Sequence, residues 1–123
     1  MRKITIALPF PPSSNTAYPT IVKGRKPIRI KSQKAKKWEA ACPDYTDIEP
    51  FKMCIISYKI FFPNDAICDG QSYLKLPLDY IVSQGIIEDD NRRILKGEQW
   101  VDGGIDRDNP RIEITIKEIE EWN

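Results

Sequence analysis

Carboxylates and a lysine are concentrated in residues 65–90 of the chain, at a spacing that could hold a divalent cation against a phosphate. Asp69 and Lys75 lie six residues apart at the start of an apolar-periodic segment, and three consecutive acids, residues 88–90, follow where that segment ends. Mg²⁺ prefers oxygen ligands and usually binds through one or two carboxylates, with water and phosphate completing its shell. A lysine in the same group could neutralise charge on a phosphate or a leaving group. The pattern indicates metal-assisted chemistry at phosphorus.

Gln71 occupies the position at which a third carboxylate would best complete this group. Residues i and i+2 of an extended segment point to one face, so Asp69 and residue 71 would both reach an ion, and Asp90 would approach from the next element. Glutamine can offer a metal only a neutral carbonyl oxygen, so we expect a weakened Mg²⁺ site. Three nearby carboxylates could partly compensate for the missing charge: Asp65, Glu88 and Asp89.

The net charge of +1 conceals a strong asymmetry along the chain. Residues 1–40 contain ten basic side chains and one acid, whereas the remaining 83 residues contain nine basic side chains and 17 acids. A basic block of this kind is typical of phosphate-backbone binding, although a solvated lysine-rich surface has the same composition. Its combination with an acidic cluster favours backbone binding together with phosphodiester cleavage. The candidate phosphate contacts in this block are Lys23, Arg25, Lys26, Arg29, Lys34 and Lys37, and Asn15 in the preceding loop could touch phosphate or serve as a plain turn residue.

Composition also excludes several classes of function. The chain has no histidine, which argues against zinc hydrolysis and against histidine-dependent acid–base or nucleophilic catalysis. Its three cysteines have neither an even count nor CxxC spacing, so a disulfide framework is not expected. No apolar run approaches the ~20 residues that a membrane-spanning helix needs. We therefore expect a protein without membrane contact, in a bacterial cytoplasm or in the cytoplasm of a phage-infected host.

The pattern of elements favours an α+β fold, with a mixed or antiparallel sheet and two main helices in a single domain, residues 1–123. Period-2 alternation predicts strands, 3.6-residue periodicity predicts helices, and no βαβ cadence is evident. A strand is predicted at 4–10, a loop at 13–16, a basic hairpin at 19–30 and a helix at 32–42. A central strand follows at 51–62, then a helix from Ser72 to Gly85, strands at 93–100 and 111–120, and turns at 102–104 and 108–110.

Most of the chain resembles the RusA-type Holliday junction resolvases. The segment LPFPPSSN (8–15) precedes a Gly-Arg hairpin and a basic helix. Residues 69–75 align with the family motif D-x-D-N-x-x-K and agree with it at Asp69 and Lys75, and Gly, an apolar pair and D-D follow at 85–90. The resemblance implies catalytic roles for Asp69, Lys75 and Asp90, and metal binding by Asp69 and Asp90, with Gln71 and Asp89 as further candidates. Gln71 and Ser72 depart from the motif, although the spacing of the other positions is retained.

The resemblance further implies a Mg²⁺-dependent homodimer, with Mn²⁺ as an alternative ion, that cuts four-way DNA junctions on two strands. Such a protein would act in recombination and repair, in a phage, prophage or chromosomal context. Two other functions stay open. If Gln71 prevents cleavage, the protein would be a module that binds branched DNA without cutting it. A small RNA-binding or protein-binding domain would result if the acidic cluster is incidental.

Overall fold

Short apolar runs separated by turn residues divide the chain into ten elements within residues 1–120, the part that this computed structural model describes. The α+β class predicted from the sequence is confirmed, with a mixed four-stranded sheet, a separate hairpin and two nine-residue helices. In chain order the elements are β1 (Lys3–Pro9), α1 (Ser14–Ala17), β2 (Thr20–Lys23), β3 (Lys26–Arg29), α2 (Gln33–Ala41), β4 (Cys54–Phe62), a 3₁₀ turn (Gly70–Tyr73), α3 (Lys75–Ser83), β5 (Leu95–Ile105) and β6 (Arg111–Glu118).

The main sheet has the strand order β1-β6-β4-β5, so β4 is an interior strand, as predicted. Strand β6 pairs antiparallel with both β1 and β4, whereas β4 and β5 pair in parallel. Cys54, Ile56, Tyr58 and Ile60 alternate along β4 and are all buried, which places them on the face that the helices cover. Strand β4, helix α3 and strand β5 therefore form a parallel crossover, that is, a βαβ unit. The sequence analysis expected no such unit.

Two local predictions were wrong. Residues 13–16, predicted as a loop, form most of a single helical turn, α1, whose Ala17 is fully buried against the core. The predicted turn at 102–104 lies inside β5, which continues to Ile105. The register between β4 and β5 shifts between Ile60 and Phe61, and Gly104 has a φ of 94°. Gly103 and Gly104 therefore form a bulge within β5 and do not end the strand.

Helix α2 lies within its predicted range of 32–42, and α3 ends before Gly85 as predicted. The start of α3 differs from the prediction: it begins at Lys75 and not at Ser72, because residues 70–73 form the 3₁₀ turn. The hydroxyl of Ser32 caps α2 by accepting from the backbone N–H of Ala35 at 3.1 Å. Pro77 lies in the first turn of α3, where its missing N–H costs no helical hydrogen bond. Gly85, with a φ of 77°, ends α3: its N–H and that of Ile86 donate back into the last turn of the helix. The direction of the chain into the acidic tripeptide 88–90 is thereby fixed.

None of the helices within residues 1–120 has the length and apolar character needed to cross a membrane.

Candidate functional site

A pocket of about 260 Å³ lies where the 3₁₀ turn and α3 face the start of β5. Gln71 comes from the 3₁₀ turn, Lys75 from the first turn of α3 and Asp90 from the loop before β5. The crossover from β4 to β5 thus brings together three of the four residues singled out in the sequence. The complete lining is Gln71, Leu74, Lys75, Leu78, Asp79, Asp90 and Glu98.

Asp69 adjoins this pocket without lining it. Its carboxylate accepts from the backbone N–H of Gln71 at 3.1 Å, and its carbonyl oxygen accepts from the hydroxyl of Ser72 at 2.7 Å. Asp69 therefore acts as the N-cap of the 3₁₀ turn, and the turn it stabilises presents the side chain of Gln71 to the pocket. The carboxylate that faces Asp90 across the lining belongs to another residue.

Glu98, which the sequence analysis did not identify, supplies that second carboxylate. It lies on β5 opposite Ile56, on the helix-covered face of the sheet, and accepts a 2.9 Å hydrogen bond from the hydroxyl of Tyr58. Burial raises the pKa of Tyr58, and the negative charges of Glu98 and Asp90 raise it further. Both carboxylates therefore act on the same tyrosine hydroxyl. The i, i+2 spacing of Glu98 and Trp100 places them on one face, but only the parallel register with β4 shows which face that is.

Lys75 is paired with Asp79 across one turn of α3, at 3.4 Å between Nζ and Oδ2. The same oxygen of Asp79 accepts a short hydrogen bond from the hydroxyl of Tyr18, and the lysine ammonium lies 5.2 Å from the centre of the Tyr18 ring. Burial and the hydrogen bond to Asp79 raise the pKa of Tyr18. Sequence patterns give no signal for this contact, because Tyr18 and Asp79 are 61 residues apart.

The three carboxylates expected to compensate for Gln71 do not line the pocket. Asp89 accepts from the N–H of Asp90 at 2.8 Å and from the side chain of Asn91 at 3.0 Å, and the first of these bonds is the main cause of its lowered pKa. Asp65 lines a separate groove beside Trp100, and Glu88 is exposed. Residues 1–120 contain no group of three or more acidic or cysteine side chains placed to hold a metal ion together.

The 3₁₀ turn is fixed to β5 by a close approach between Gly70 and Trp100. A Cβ atom added to Gly70 would lie 2.3 Å from Cη2 of the indole ring, well inside van der Waals contact. Gly70 is buried, and its neighbours on either side are Asp69 and Gln71. Glycine is required here so that the turn can reach the strand that carries Glu98.

We expect Gly70→Ala to lower the free energy of unfolding by about 1–3 kcal/mol, because the added methyl group must displace Trp100 or the turn. Denaturant unfolding monitored by tryptophan fluorescence measures the change. Gly97→Ala is the matched control, since a Cβ at Gly97 would meet no atom within 4 Å. Equal stability of the two variants would show that the turn does not depend on this contact.

The basic hairpin is attached beside the pocket. Strands β2 and β3 are joined by Gly24, with a φ of 66°, and Arg25, and every residue from 20 to 30 is exposed. At its base the Nε of Arg29 donates to the carbonyl oxygen of Tyr18 at 3.1 Å, and the side chain of Tyr18 contacts the pocket. The predicted hairpin contacts Lys23, Arg25, Lys26 and Arg29 thus share one projecting ribbon.

The remaining predicted DNA contacts flank this ribbon. Lys34 and Lys37 are exposed on α2, and Asn15 is exposed on α1. Helix α1 is tied to the 3₁₀ turn by the hydroxyl of Ser14, which donates to the carbonyl oxygen of Ser72 at 2.8 Å. The helix that carries Asn15 is therefore attached to the turn that carries Gln71.

No protein-family model and no curated protein matches this chain. The chemistry of the pocket and of the surface around it is therefore the basis for assigning a function.

Proposed function

We propose that this protein is a Mg²⁺-dependent endonuclease that cuts four-way DNA junctions during recombination and repair. The proposal rests chiefly on one observation: two carboxylates, Asp90 and Glu98, and the ammonium of Lys75 face a single pocket beside a basic hairpin. The resemblance to RusA-type resolvases supports the choice of substrate. The cytoplasm of a bacterium or of a phage-infected cell would supply such junctions.

The donor set of the pocket fits Mg²⁺, and Mn²⁺ is the natural substitute. Asp90 and Glu98 offer carboxylate oxygens and Gln71 offers an amide carbonyl, all of them hard ligands, and the pocket contains no thiol or imidazole. A bound ion would polarise a phosphate oxygen and lower the pKa of an attacking water. Tyr58 restricts the orientation of Glu98 by donating a hydrogen bond to it, so that the carboxylate is held in place before substrate binds.

The residues around the ion site divide the remaining tasks. Lys75 would stabilise negative charge that develops on the phosphate or on the leaving oxygen. The hairpin would bind the backbone of one DNA arm, which fixes the position of the scissile phosphate over the pocket. Asp69 would contribute through the 3₁₀ turn, because its carboxylate holds the backbone of Gln71. The site would thus offer a metal ion two charged ligands, Asp90 and Glu98, where the family motif suggests three.

Symmetric cleavage requires two such sites, which a homodimer with two-fold symmetry would provide. A junction-cleavage assay tests the proposal: purified protein, a four-way junction with fixed arms, and Mg²⁺ or Mn²⁺. We expect paired cuts on opposite strands, and a linear duplex of the same sequence should stay intact. A supercoiled plasmid that extrudes a cruciform reports pairing, because coupled cuts linearise it and single cuts only nick it. Cleavage without metal, or equal cleavage of the linear duplex, would contradict the proposal.

Binding without cleavage is the second candidate. It is favoured by Gln71, which adds no charge, and by the engagement of the Asp69 carboxylate at the 3₁₀ turn. This reading predicts tight binding to the junction and no cleavage with either ion. If the protein binds no form of DNA, neither the endonuclease nor the DNA-binding function holds, and RNA or protein binding becomes the favoured function.

We expect junction binding to weaken steeply with salt, because each phosphate that a lysine or arginine neutralises releases a counterion. Six or more such contacts would lower the affinity by about 10³-fold between 50 and 200 mM salt. Fluorescence anisotropy with a labelled junction, repeated over a series of salt concentrations, measures the slope.

A triple variant identifies the surface responsible. Replacing Lys23, Arg25 and Lys26 by glutamine should reduce the salt slope by about three. The matched control replaces Lys3, Lys59 and Lys117, which lie on the sheet face away from the helices, with the same change in charge. An equal loss of slope in both variants would mean that net charge, and not the hairpin, determines binding.

A further inference from the structure

Tyr18 contacts Lys75 directly through its ring and indirectly through Asp79. Its ring lies under the lysine ammonium, 5.2 Å from Nζ to the ring centre, and its hydroxyl donates to Oδ2 of Asp79. That oxygen also pairs with Nζ of Lys75 at 3.4 Å. The three groups form a closed triangle, and two of them, Lys75 and Asp79, line the pocket.

This arrangement differs from an ordinary ion pair on a helix surface. The side chain of Lys75 is 52% exposed, but that of Asp79 is 31% exposed and its position is fixed by a tyrosine from another element. A lysine that precedes an acid by four residues has the less favourable orientation relative to the helix dipole, so the pair adds little to the stability of α3. The contact therefore restricts the lysine more than it supports the helix.

We propose that Tyr18 and Asp79 are positioning residues that hold the ammonium of Lys75 over the pocket, where it meets the scissile phosphate. This inference rests on the proposed nuclease function. A free lysine side chain samples many rotamers, and fixing it before substrate binds removes that cost from the cleavage step. The charges of Lys75 and Asp79 cancel within their ion pair, so Asp90 and Glu98 supply the negative charge available to a cation.

The backbone of Tyr18 extends the same role to the hairpin. Its carbonyl oxygen accepts from Nε of Arg29 at the base of β3, while its side chain holds Asp79 and Lys75. Tyr18 therefore contacts both the hairpin, which we propose binds a DNA arm, and Lys75, which we propose acts on the phosphate. The side chain and the carbonyl group of Tyr18 would therefore set the distance between the hairpin and Lys75, the two proposed contacts with DNA.

A double-mutant cycle separates positioning from general stability. We expect Tyr18→Phe, which keeps the ring and removes the hydroxyl, to lower the single-turnover cleavage rate about tenfold without changing the affinity for the junction. In a Lys75→Met background the same change should have less than about a twofold effect, because the residue on which it acts is gone. Equal effects of Tyr18→Phe in both backgrounds would overturn the proposal. Tyr80→Phe, which removes a hydroxyl of α3 that donates to the carbonyl oxygen of Pro43 away from Lys75, is the control for lost stability.

Chemical labelling tests the lysine placement without any cleavage. An amine-acylating reagent, followed by peptide mass spectrometry, gives the reaction rate of Lys75 relative to that of Lys59, which lies near the Phe61 ring on the other face of the sheet. We expect Tyr18→Phe and Asp79→Asn each to raise the relative rate about threefold or more, since a paired ammonium must leave its partner before it reacts. Unchanged labelling overturns the positioning role. Faster labelling in a protein that never cleaves DNA retains the placement and overturns the nuclease function.

Discussion

Replacement of Asp90 by asparagine should lower the single-turnover rate of junction cleavage by about 10²- to 10³-fold and leave binding to the junction intact. Asparagine keeps the shape of the side chain and one carbonyl oxygen, but it removes one of the two carboxylate charges of the pocket that are not paired with Lys75. Loss of that charge also removes repulsion of the phosphate, so the affinity for DNA should stay equal or increase. Rates measured at saturating protein, and affinities measured without metal, separate the two effects.

Asp89→Asn is the matched control for Asp90→Asn, since it makes the same chemical change one residue away. The carboxylate of Asp89 accepts hydrogen bonds from Asp90 and Asn91 in its own loop and does not line the pocket. We expect a clearly smaller loss of cleavage, caused only by loosening of the loop. If the two variants lose the same activity, the charge of the loop as a whole matters, and Asp90 has no special place in the site.

Gln71→Asp should tighten Mg²⁺ binding and increase junction cleavage, each by about tenfold. The new carboxylate would add Coulomb attraction in a pocket that is partly removed from water, where charge interactions are stronger than in bulk solvent. It would also restore the charge pattern of the family motif that the chain resembles. Cleavage rates measured over a range of Mg²⁺ concentrations give both the apparent affinity and the maximal rate.

Glu98 provides the sharpest test of this prediction. If Glu98 supplies the charge that position 71 lacks, Glu98→Gln should greatly reduce cleavage by the natural protein and reduce it much less in the Gln71→Asp variant. Gln71→Asn, which shortens the amide without adding charge, controls for the change in side-chain length. A natural protein that gains nothing from Gln71→Asp and loses nothing with Glu98→Gln would show that neither position contributes to metal binding.

The parts of this fold that the sequence predicts are those determined by local chemistry. Alternation along β4 and β6, the Ser32 cap of α2 and the Gly85 end of α3 depend on residues only a few positions apart. The hairpin likewise follows from a tight turn at Gly24. Lys75 and Asp90 could be placed near each other because α3 and a short loop connect them directly.

The remaining features depend on contacts between distant parts of the chain. The burial of Ala17 makes a helical turn of the segment that its polar residues suggest is a loop. Pairing with β4 carries β5 through two glycines that by themselves indicate a turn. Glu98 faces the pocket because of the parallel register, and its partner Tyr58 is 40 residues away. Without that register, no pattern in the sequence selects Glu98 from the other acids.

The position of β6 has a consequence for how the protein is made. It is the last strand within residues 1–120 to leave the ribosome, yet it lies between β1 and β4 in the finished sheet. Until it emerges, a nascent chain has two unpaired strand edges and no partner for the apolar face that Ile112, Ile114 and Ile116 later complete. Such edges associate readily with those of other chains. The four-stranded sheet can therefore form only after β6 has emerged, and a nascent chain stalled before residue 111 would be prone to aggregate or to need a chaperone.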